Sequence, residues 1–284
     1  MKIERILAGI DFGPYSEIVE AYLLLFAKEM GASVFLVHVI DYLVTPPAYL
    51  ATYLEEEKGV SEKKFTVIER RFLDAGIKTE SEVVVGRLGE SFERVVEKID
   101  ADMLILGFKS HPLRRSSSEK LIKGLQMPML VVRGEKAESA STGSVKIRRI
   151  LCPTDLSDTS RRSLEVAKDL KNIFSSRIDV VHVFPGYVIR DKIETLTDRD
   201  KAMQDLIEQS KGRLDRFLSD SGMKEPGVID EGKPDKRIIS FAKKEDVDLI
   251  VMGARGLGFI KGMIIGSVTD AVLKSSPCPV LVVH

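Results

Sequence analysis

The sequence predicts an α/β protein made of two tandem domains, each a doubly wound, five-stranded parallel sheet with helices on both faces. Three observations favour this fold class: one pattern of segments repeats, short β-branched runs alternate with longer amphipathic stretches, and the runs are apolar almost throughout. Apolar strands separated by helices are typical of parallel sheets covered on both sides. A length of 284 residues is also the size of two ordinary domains.

The internal repeat is visible in short segments that recur in the same order in both halves of the chain. The matching pairs are 6–11 with 150–155, 37–39 with 181–183, 86–87 with 232–233, 103–107 with 249–253, and 128–132 with 279–283. The loop after the fourth pair is five residues shorter in the first copy. Residues 135–145 are small and polar, which is typical of a flexible linker. We therefore expect domains at 1–134 and 146–284.

Each copy contains five predicted strands. They cover residues 6–10, 33–40, 77–85, 103–106 and 129–132, then 150–152, 178–184, 223–230, 249–252 and 280–283. The clearest helices are 16–30 and 157–173. In an open sheet wound in this way, ligands bind outside the carboxyl ends of the strands, where the winding reverses direction. The candidate functional residues are therefore those that directly follow a strand.

The composition argues against several kinds of partner. Lysine plus arginine equals aspartate plus glutamate, at 43 each, so no net positive field is available to hold nucleic acid or an anionic membrane. The apolar runs are far shorter than the ~20 residues of a membrane helix, and residues 1–5 lack a signal peptide's apolar segment. We therefore expect a cytoplasmic protein. The two cysteines and four histidines show no metal-ligand spacing, so no zinc site is predicted.

A glycine motif follows the fourth strand of the second copy. Gly253, Gly256 and Gly266 precede Ser267 in the spacing G-x₂-G-x₉-G-S. Glycines accept positive φ and, without a Cβ, let backbone N–H groups approach a phosphate closely. The helix predicted to begin here adds the free N–H groups and the positive dipole end of its first turn. Loop and helix together predict a phosphate-binding cradle.

This motif resembles the ATP-binding signature of the universal stress protein family, and other landmarks agree with it. The landmarks are residues 153–157, 181–183, 232–234, 248–253 and 278–283. Together they cover essentially the whole chain. The resemblance implies an adenine-nucleotide alpha hydrolase-like fold, binding of ATP or AMP, and a role in surviving stress. It leaves open whether Mg²⁺ accompanies ATP.

The resemblance also implies roles for individual residues of the second copy. It places Asp155 on the ribose or the adenine, and the backbone of Val183 on the adenine. The residues around the phosphates are then Gly253, Gly256, Gly266, Ser267, Val268 and Thr269. The twelve predicted nucleotide-binding residues are completed by Pro153, Thr154, Met252 and Arg255. The side chains of Arg255 and Lys261 either add charge near the phosphates or point to water, and both interpretations stay open.

The first copy departs from this pattern. Asp11 and Val39 are retained and could still receive an adenosine, but Ser110 and Arg115 replace the second and third glycines of the motif. A side chain at Arg115 would crowd the path of a phosphate. One interpretation is a degenerate, structural domain that no longer binds ATP as the family does. The other is that the basic residues of this loop bind a different anion: Lys109, Arg114 and Arg115.

Other conspicuous residues have plain structural explanations. His38 and His182 occupy equivalent strand ends, which suits packing as well as proton transfer, and no nucleophile accompanies them. Cys152 stands beside the proposed adenosine site and could sense oxidation, although a buried strand cysteine is usually inert.

Residues 42–53 and 187–197 are candidate lids or partner surfaces.

The predicted function is a nucleotide-responsive regulatory module of the stress response, with ATP or AMP bound in the second domain. The motifs GxxxxGK[ST] and GxGxxG are absent, which argues against P-loop and dinucleotide sites. No general base or metal-binding carboxylate set is evident, so we do not expect an enzyme. The alternatives are a slow ATPase or phosphotransferase, and a nucleotide-free interaction protein.

The last strand of each copy is a predicted contact surface. Stand-alone family members commonly pair through this strand, so the resemblance implies an intramolecular pseudo-dimer formed by residues 129–132 and 280–283. An apolar edge strand left unpaired would also invite aggregation. A homodimer of whole chains remains a second possibility.

Overall fold

The computed structural model of the chain describes residues 2–13, 15–41, 50–108, 117–138, 145–186, 196–256 and 265–284. Contacts between Cα atoms divide the chain into two units, Met1–Lys146 and Ile147–His284. We call them the first unit and the second unit and describe each by itself. In the described part of both units, strands and helices alternate along the chain.

The first unit is a five-stranded parallel sheet with helices between its strands. Its elements are β1 Arg5–Gly9, α1 Ser16–Met30, β2 Ser33–Ile40, α2 Leu50–Asp74, β3 Thr79–Val85, α3 Leu88–Ile99, β4 Met103–Gly107, α4 Ser117–Gly124, β5 Met129–Val132 and α5 Glu135–Glu138. The strand order is β3-β2-β1-β4-β5, and every neighbouring pair is parallel. The winding therefore reverses between β1 and β4.

The second unit repeats this architecture. Its elements are β6 Arg149–Thr154, α6 Asp158–Phe174, β7 Arg177–Phe184, α7 Leu196–Asp220, β8 Val228–Glu231, α8 Pro234–Lys244, β9 Leu249–Gly253, α9 Ser267–Ser275 and β10 Val280–Val283. The strand order is β8-β7-β6-β9-β10, again parallel throughout. The predicted fold class of two tandem, doubly wound parallel sheets is thereby confirmed, and the winding of this unit reverses between β6 and β9.

Burial explains why three short apolar strands form. Every residue of β5, β9 and β10 is buried, because these short apolar runs are covered on both faces. Helix α6 begins directly after the turn that follows β6. Its start is fixed by the N-cap residue Ser157, whose hydroxyl accepts a hydrogen bond from the Ser160 N–H at 3.2 Å. Among the described helices, none is long and apolar enough to cross a membrane.

Most predicted bounds lie within two residues of the observed ones, and two predictions differ more from the structure. The strand predicted at 223–230 begins only at Val228, because Pro226 has no N–H for a ladder hydrogen bond and Gly227 lies close to α7. The predicted linker begins with the helical turn α5, in which Ala137 is fully buried, so its start is packed rather than flexible. Residues 139–144 of the linker lie outside the described residues.

Candidate functional site

A cavity of about 330 Å³ lies at the carboxyl ends of β6, β7 and β9 in the second unit, beside the point where the winding reverses. All twelve residues predicted from the sequence line this one cavity. They are Pro153, Thr154, Asp155, Val183, Met252, Gly253, Arg255, Gly256, Gly266, Ser267, Val268 and Thr269. Lys261 lies outside the described residues.

Five lining residues were missed by the sequence analysis. They are Ser160, Val181, Pro234, Ile238 and Ile265. A signal for two of them was present in the sequence. Val181 precedes Val183 by two residues, so both side chains lie on the same face of β7. Ile238 follows Pro234 by one helical turn on α8, so a lining residue at one position predicts the other.

One wall of the cavity is apolar. It is formed by Val181 and Val183 on β7, and by Pro234 and Ile238 on α8, which packs against β7. Met252 adds a further apolar side chain at the end of β9. A flat, weakly polar group such as a nucleobase would lose little hydration against such a wall, and an ion would lose much.

The turn after β6 is held by hydroxyl groups. The Thr154 hydroxyl accepts a hydrogen bond from the Leu156 N–H at 3.0 Å and shares a second one with the Ser160 hydroxyl at 2.9 Å. Leu156 has φ of 68°, a left-handed conformation that costs a side-chain-bearing residue on the order of 1 kcal/mol. The Asp155 carboxylate accepts a hydrogen bond from the Ser157 N–H at 3.1 Å. These contacts hold Asp155 at the edge of the cavity.

The structure corrects one of the two reasons inferred from the sequence for the motif glycines, their acceptance of positive φ. None of Gly253, Gly256 and Gly266 is among the described glycines with positive φ. A Cβ on Gly256 would lie 2.2 Å from Asp155 Oδ2, and a Cβ on Gly253 would lie 2.8 Å from Thr159 Cγ2. Gly266 is different, because among the described residues the atom nearest to its Cβ would be 3.6 Å away.

Helix α9 presents its N-terminus to the cavity. Gly266 is its N-cap, with φ of −72°, and no side chain caps the helix within the described residues. The N–H of Gly266 itself donates to the Ala254 carbonyl at 2.7 Å, so the N–H groups that follow it are the ones that could meet an anion in the cavity. The Thr269 hydroxyl donates to the Gly253 carbonyl at 2.8 Å and ties the first turn of α9 to β9. An anion in the cavity would meet these N–H groups and the positive end of the helix dipole.

Charged and titratable groups near the cavity are few among the described residues. Arg255 lines the cavity. Burial, and after it the charge of Arg255, lowers the pKa of the His284 imidazole below its usual value. Cys152 lies in β6, and complete burial raises the pKa of its thiol to about 12. At neutral pH it is therefore a thiol and a poor nucleophile. No group of histidine, cysteine and carboxylate side chains in the described part of the chain is arranged to hold a metal ion.

The two equivalent histidines make the same contact in each unit. His38 Nδ1 lies 2.7 Å from the Ile10 carbonyl, and His182 Nδ1 lies 2.9 Å from the Thr154 carbonyl. A carbonyl only accepts, so in each ring Nδ1 carries the proton and donates it. The histidines therefore link the ends of neighbouring strands, which favours the structural explanation over proton transfer.

The corresponding region of the first unit is filled by a side chain. By the internal repeat, Gly9 and Phe92 stand where the second unit has Pro153 and Ile238. Phe92 is buried, and a Cβ on Gly9 would lie 2.9 Å from its Cζ atom. The aromatic ring thus occupies the space beside the end of β1. The loop residues Lys109, Ser110, Arg114 and Arg115 lie outside the described residues.

Comparisons with known proteins point in one direction. A sequence model described as the universal stress protein family matches residues 2–133 and 146–284. The universal stress protein MJ0577 of Methanocaldococcus jannaschii is 31% identical over 156 residues, covering 49% of this chain and 96% of that protein. The universal stress protein Rv2623 of Mycobacterium tuberculosis is 22% identical over 292 residues, 98% of this chain and 95% of its own. A universal stress protein structure from Archaeoglobus fulgidus covers 99% of this chain and 96% of its own with a TM-score of 0.72, and at 22% identity it supports the fold alone.

Proposed function

The chain belongs to the universal stress protein family, and from that premise we propose that its second unit binds an adenine nucleotide, ATP or AMP, in the cavity beside β6, β7 and β9. The observation that carries the proposal is geometric. Twelve residues chosen from four separate segments of the sequence line one cavity. Its volume of about 330 Å³ lies within the range usual for small-molecule sites.

The two chemically different parts of the lining support an orientation for the nucleotide. The adenine lies against the apolar wall of Val181, Val183 and Ile238, within reach of the backbone of β7. The phosphates lie at Gly256 and at the N-terminus of α9, where N–H groups and the helix dipole favour negative charge. Asp155 lies against Gly256 and offers its carboxylate to a ribose hydroxyl.

The same carboxylate is the one acidic group that the described lining offers to a cation. Mg²⁺ in nucleotide sites is commonly held by one or two carboxylates together with the phosphates. Asp155 is therefore the residue that would hold Mg²⁺ if it enters with ATP. There the ion would neutralise phosphate charge.

We further propose that each chain binds one nucleotide. In the first unit the retained Asp11 accepts hydrogen bonds from the Gly13 N–H at 2.8 Å and the Ser16 hydroxyl at 3.0 Å. The Phe92 ring takes up the space next to Gly9 that a base would need. Two independent obstacles, the ring and the shortened loop, therefore disfavour a second site of the same kind.

A regulatory role fits this site better than catalysis. Hydrolysis of ATP needs a positioned nucleophile and neutralisation of charge on the transferred phosphoryl group. Among the described lining residues, Asp155 is the one candidate base, and its Oδ1 already accepts the Ser157 N–H. Bound nucleotide would instead stabilise one conformation of the loop and helix around it. Slow ATP hydrolysis and a nucleotide-free interaction role are the competing functions.

Isothermal titration of the full chain tests the proposal. Titrations with ATP, AMP, adenosine and GTP are expected to show binding of the adenine nucleotides at a stoichiometry near one. GTP serves as the control for the base, and adenosine as the control for the phosphates. Absence of heat and of any nucleotide released from the purified protein would remove the proposal. Release of phosphate from saturating ATP, in step with protein concentration, would support the slow ATPase.

A further inference from the structure

Helix α2 of the first unit has a second apolar face, besides the one that it buries. Its buried face packs Phe65, Ile68 and Phe72 against the sheet. Tyr53, Val60 and Val67 lie elsewhere on the helix and are 41%, 47% and 62% exposed. Their spacing of seven residues is about two helical turns, so they form one line along the helix. We call these three residues the α2 stripe.

The stripe is flanked by charged residues, which are acidic before its central residue and basic after it. Glu56 and Glu57 come before Val60, and Lys63 and Lys64 come after it. Glu56 and Lys63 each lie three residues after a stripe position, and therefore on one side of the stripe. Glu57 and Lys64 each lie four residues after one, and therefore on the other side. Neither Glu56 nor Lys63 has an oppositely charged residue three or four positions away on its own helix. Both are exposed.

This order of charges selects one mode of self-association. When two α2 helices lie antiparallel about a two-fold axis at Val60, Tyr53 of one chain meets Val67 of the other. On one side of the stripe each Glu56 then faces a Lys63. On the opposite side each Glu57 faces a Lys64. A parallel arrangement would place glutamate against glutamate and lysine against lysine, which is repulsive.

We propose that the α2 stripe is the interface of an antiparallel homodimer, in which the α2 helices of two whole chains pair about Val60. The contact extends from Tyr53 to Val67, about 21 Å along the helix. One helix face of this length falls short of the roughly 800 Å² per partner of a standard interface. The dimer is therefore weak, concentration-dependent and sensitive to salt, because its specificity comes from exposed charges. The proposal is independent of nucleotide binding in the second unit.

Analytical ultracentrifugation of the full chain tests the apolar part of the interface. Sedimentation at rising protein concentration is expected to show a monomer–dimer equilibrium. Val60→Glu places a charge at the centre and should raise the dimer dissociation constant by at least about tenfold. Leu73→Glu is the matched control, because Leu73 is 68% exposed on the same helix but off the stripe. Neither variant should alter the unfolding midpoint by much, since both side chains are exposed.

Charge reversal tests the antiparallel arrangement. Glu56→Lys alone and Lys63→Glu alone should each weaken the dimer, because like charges then face each other. An equimolar mixture of the two variants should form a heterodimer, and the double variant should again form a homodimer. These two residues are chosen instead of Glu57 and Lys64, because the Lys64 Nζ atom lies over the Phe12 ring, 4.9 Å from its centroid. A chain that stays monomeric at millimolar concentration would overturn the proposal, as would a dimer that ignores Val60→Glu and both reversals.

Discussion

The ring of Phe92 packs against the backbone of Gly9, so closely that a Cβ on Gly9 would lie 2.9 Å from Phe92 Cζ. The matching residues of the second unit, Ile238 and Pro153, both line the open cavity. The two units therefore differ in the side chains at this pair of positions. This difference concerns the region proposed for the base, whereas the missing glycines of the first copy concern the phosphates.

We predict that Ile238→Phe carries the obstruction into the second unit. The larger ring would protrude from the apolar wall into the cavity beside Val183. The affinity for ATP should therefore fall at least about tenfold while the chain still folds. Isothermal titration measures the loss, and urea unfolding checks the fold. Ile238→Val is the matched control, because it shortens the same side chain and leaves the space open. Equal affinity in the Phe variant and the wild type would place the base elsewhere.

We predict that Gly266→Val abolishes ATP binding with little effect on stability. Within the described part of the chain a Cβ at this position has its nearest neighbour 3.6 Å away, so we expect the branched side chain to be accommodated and to block the approach of a phosphate. The free energy of unfolding should change by no more than about 1 kcal/mol. Gly212→Val on α7 is the control, because its Cβ would meet no atom of the described residues within 4 Å and Gly212 does not line the cavity. Undiminished calorimetric affinity in Gly266→Val would refute the phosphate assignment.

Gly253→Val is a poorer probe of the same site. Its Cβ would lie 2.8 Å from Thr159 Cγ2 and 3.0 Å from the Arg255 carbonyl oxygen. Overpacking of this kind typically costs about 1–3 kcal/mol. Loss of binding in this variant would therefore report a disturbed fold as readily as a lost phosphate contact.

We predict that both cysteines are unreactive in the native protein. Cys152 and Cys278 are fully buried, and burial raises the pKa of the Cys152 thiol to about 12, so the thiolate is scarce at pH 8. Titration with a chromogenic disulfide should detect no thiol in the folded chain and two in urea. Rapid labelling of Cys152 without unfolding would revive a role in sensing oxidation.

The packing of the last strands, Met129–Val132 and Val280–Val283, stays a prediction from the sequence. Both strands are wholly apolar, and we expect them to lie together as the seam of an intramolecular pseudo-dimer. Slow amide hydrogen exchange in both strands would agree with this arrangement. A crystal structure that holds the two strands far apart would contradict it.

Much of the fold was predictable because its signals are local. The runs at 33–40 and 280–283 predicted the observed strand bounds, since strands covered on both faces are apolar along most of their length. The strand predicted at 223–230 was placed too early, because the space around Gly227 depends on a side chain of α7 that is distant in sequence. The loop residues of the motif between Gly256 and Ile265 lie outside the described residues, so the contribution predicted for them to a phosphate-binding cradle stays untested.

The sequence by itself determined the tandem repeat and the parallel sheets, because repeats and apolar strands are read directly along the chain. The twelve residues that line one cavity were implied by the resemblance of the sequence motifs to a known family. Only the tertiary structure decided what those residues do for one another. It showed that the motif glycines lack positive φ, it packed Gly253 against Thr159 and Gly256 against Asp155, and it placed Phe92 against Gly9. The physical reason is that free space around an atom is set by packing between elements far apart in sequence, which no local pattern encodes.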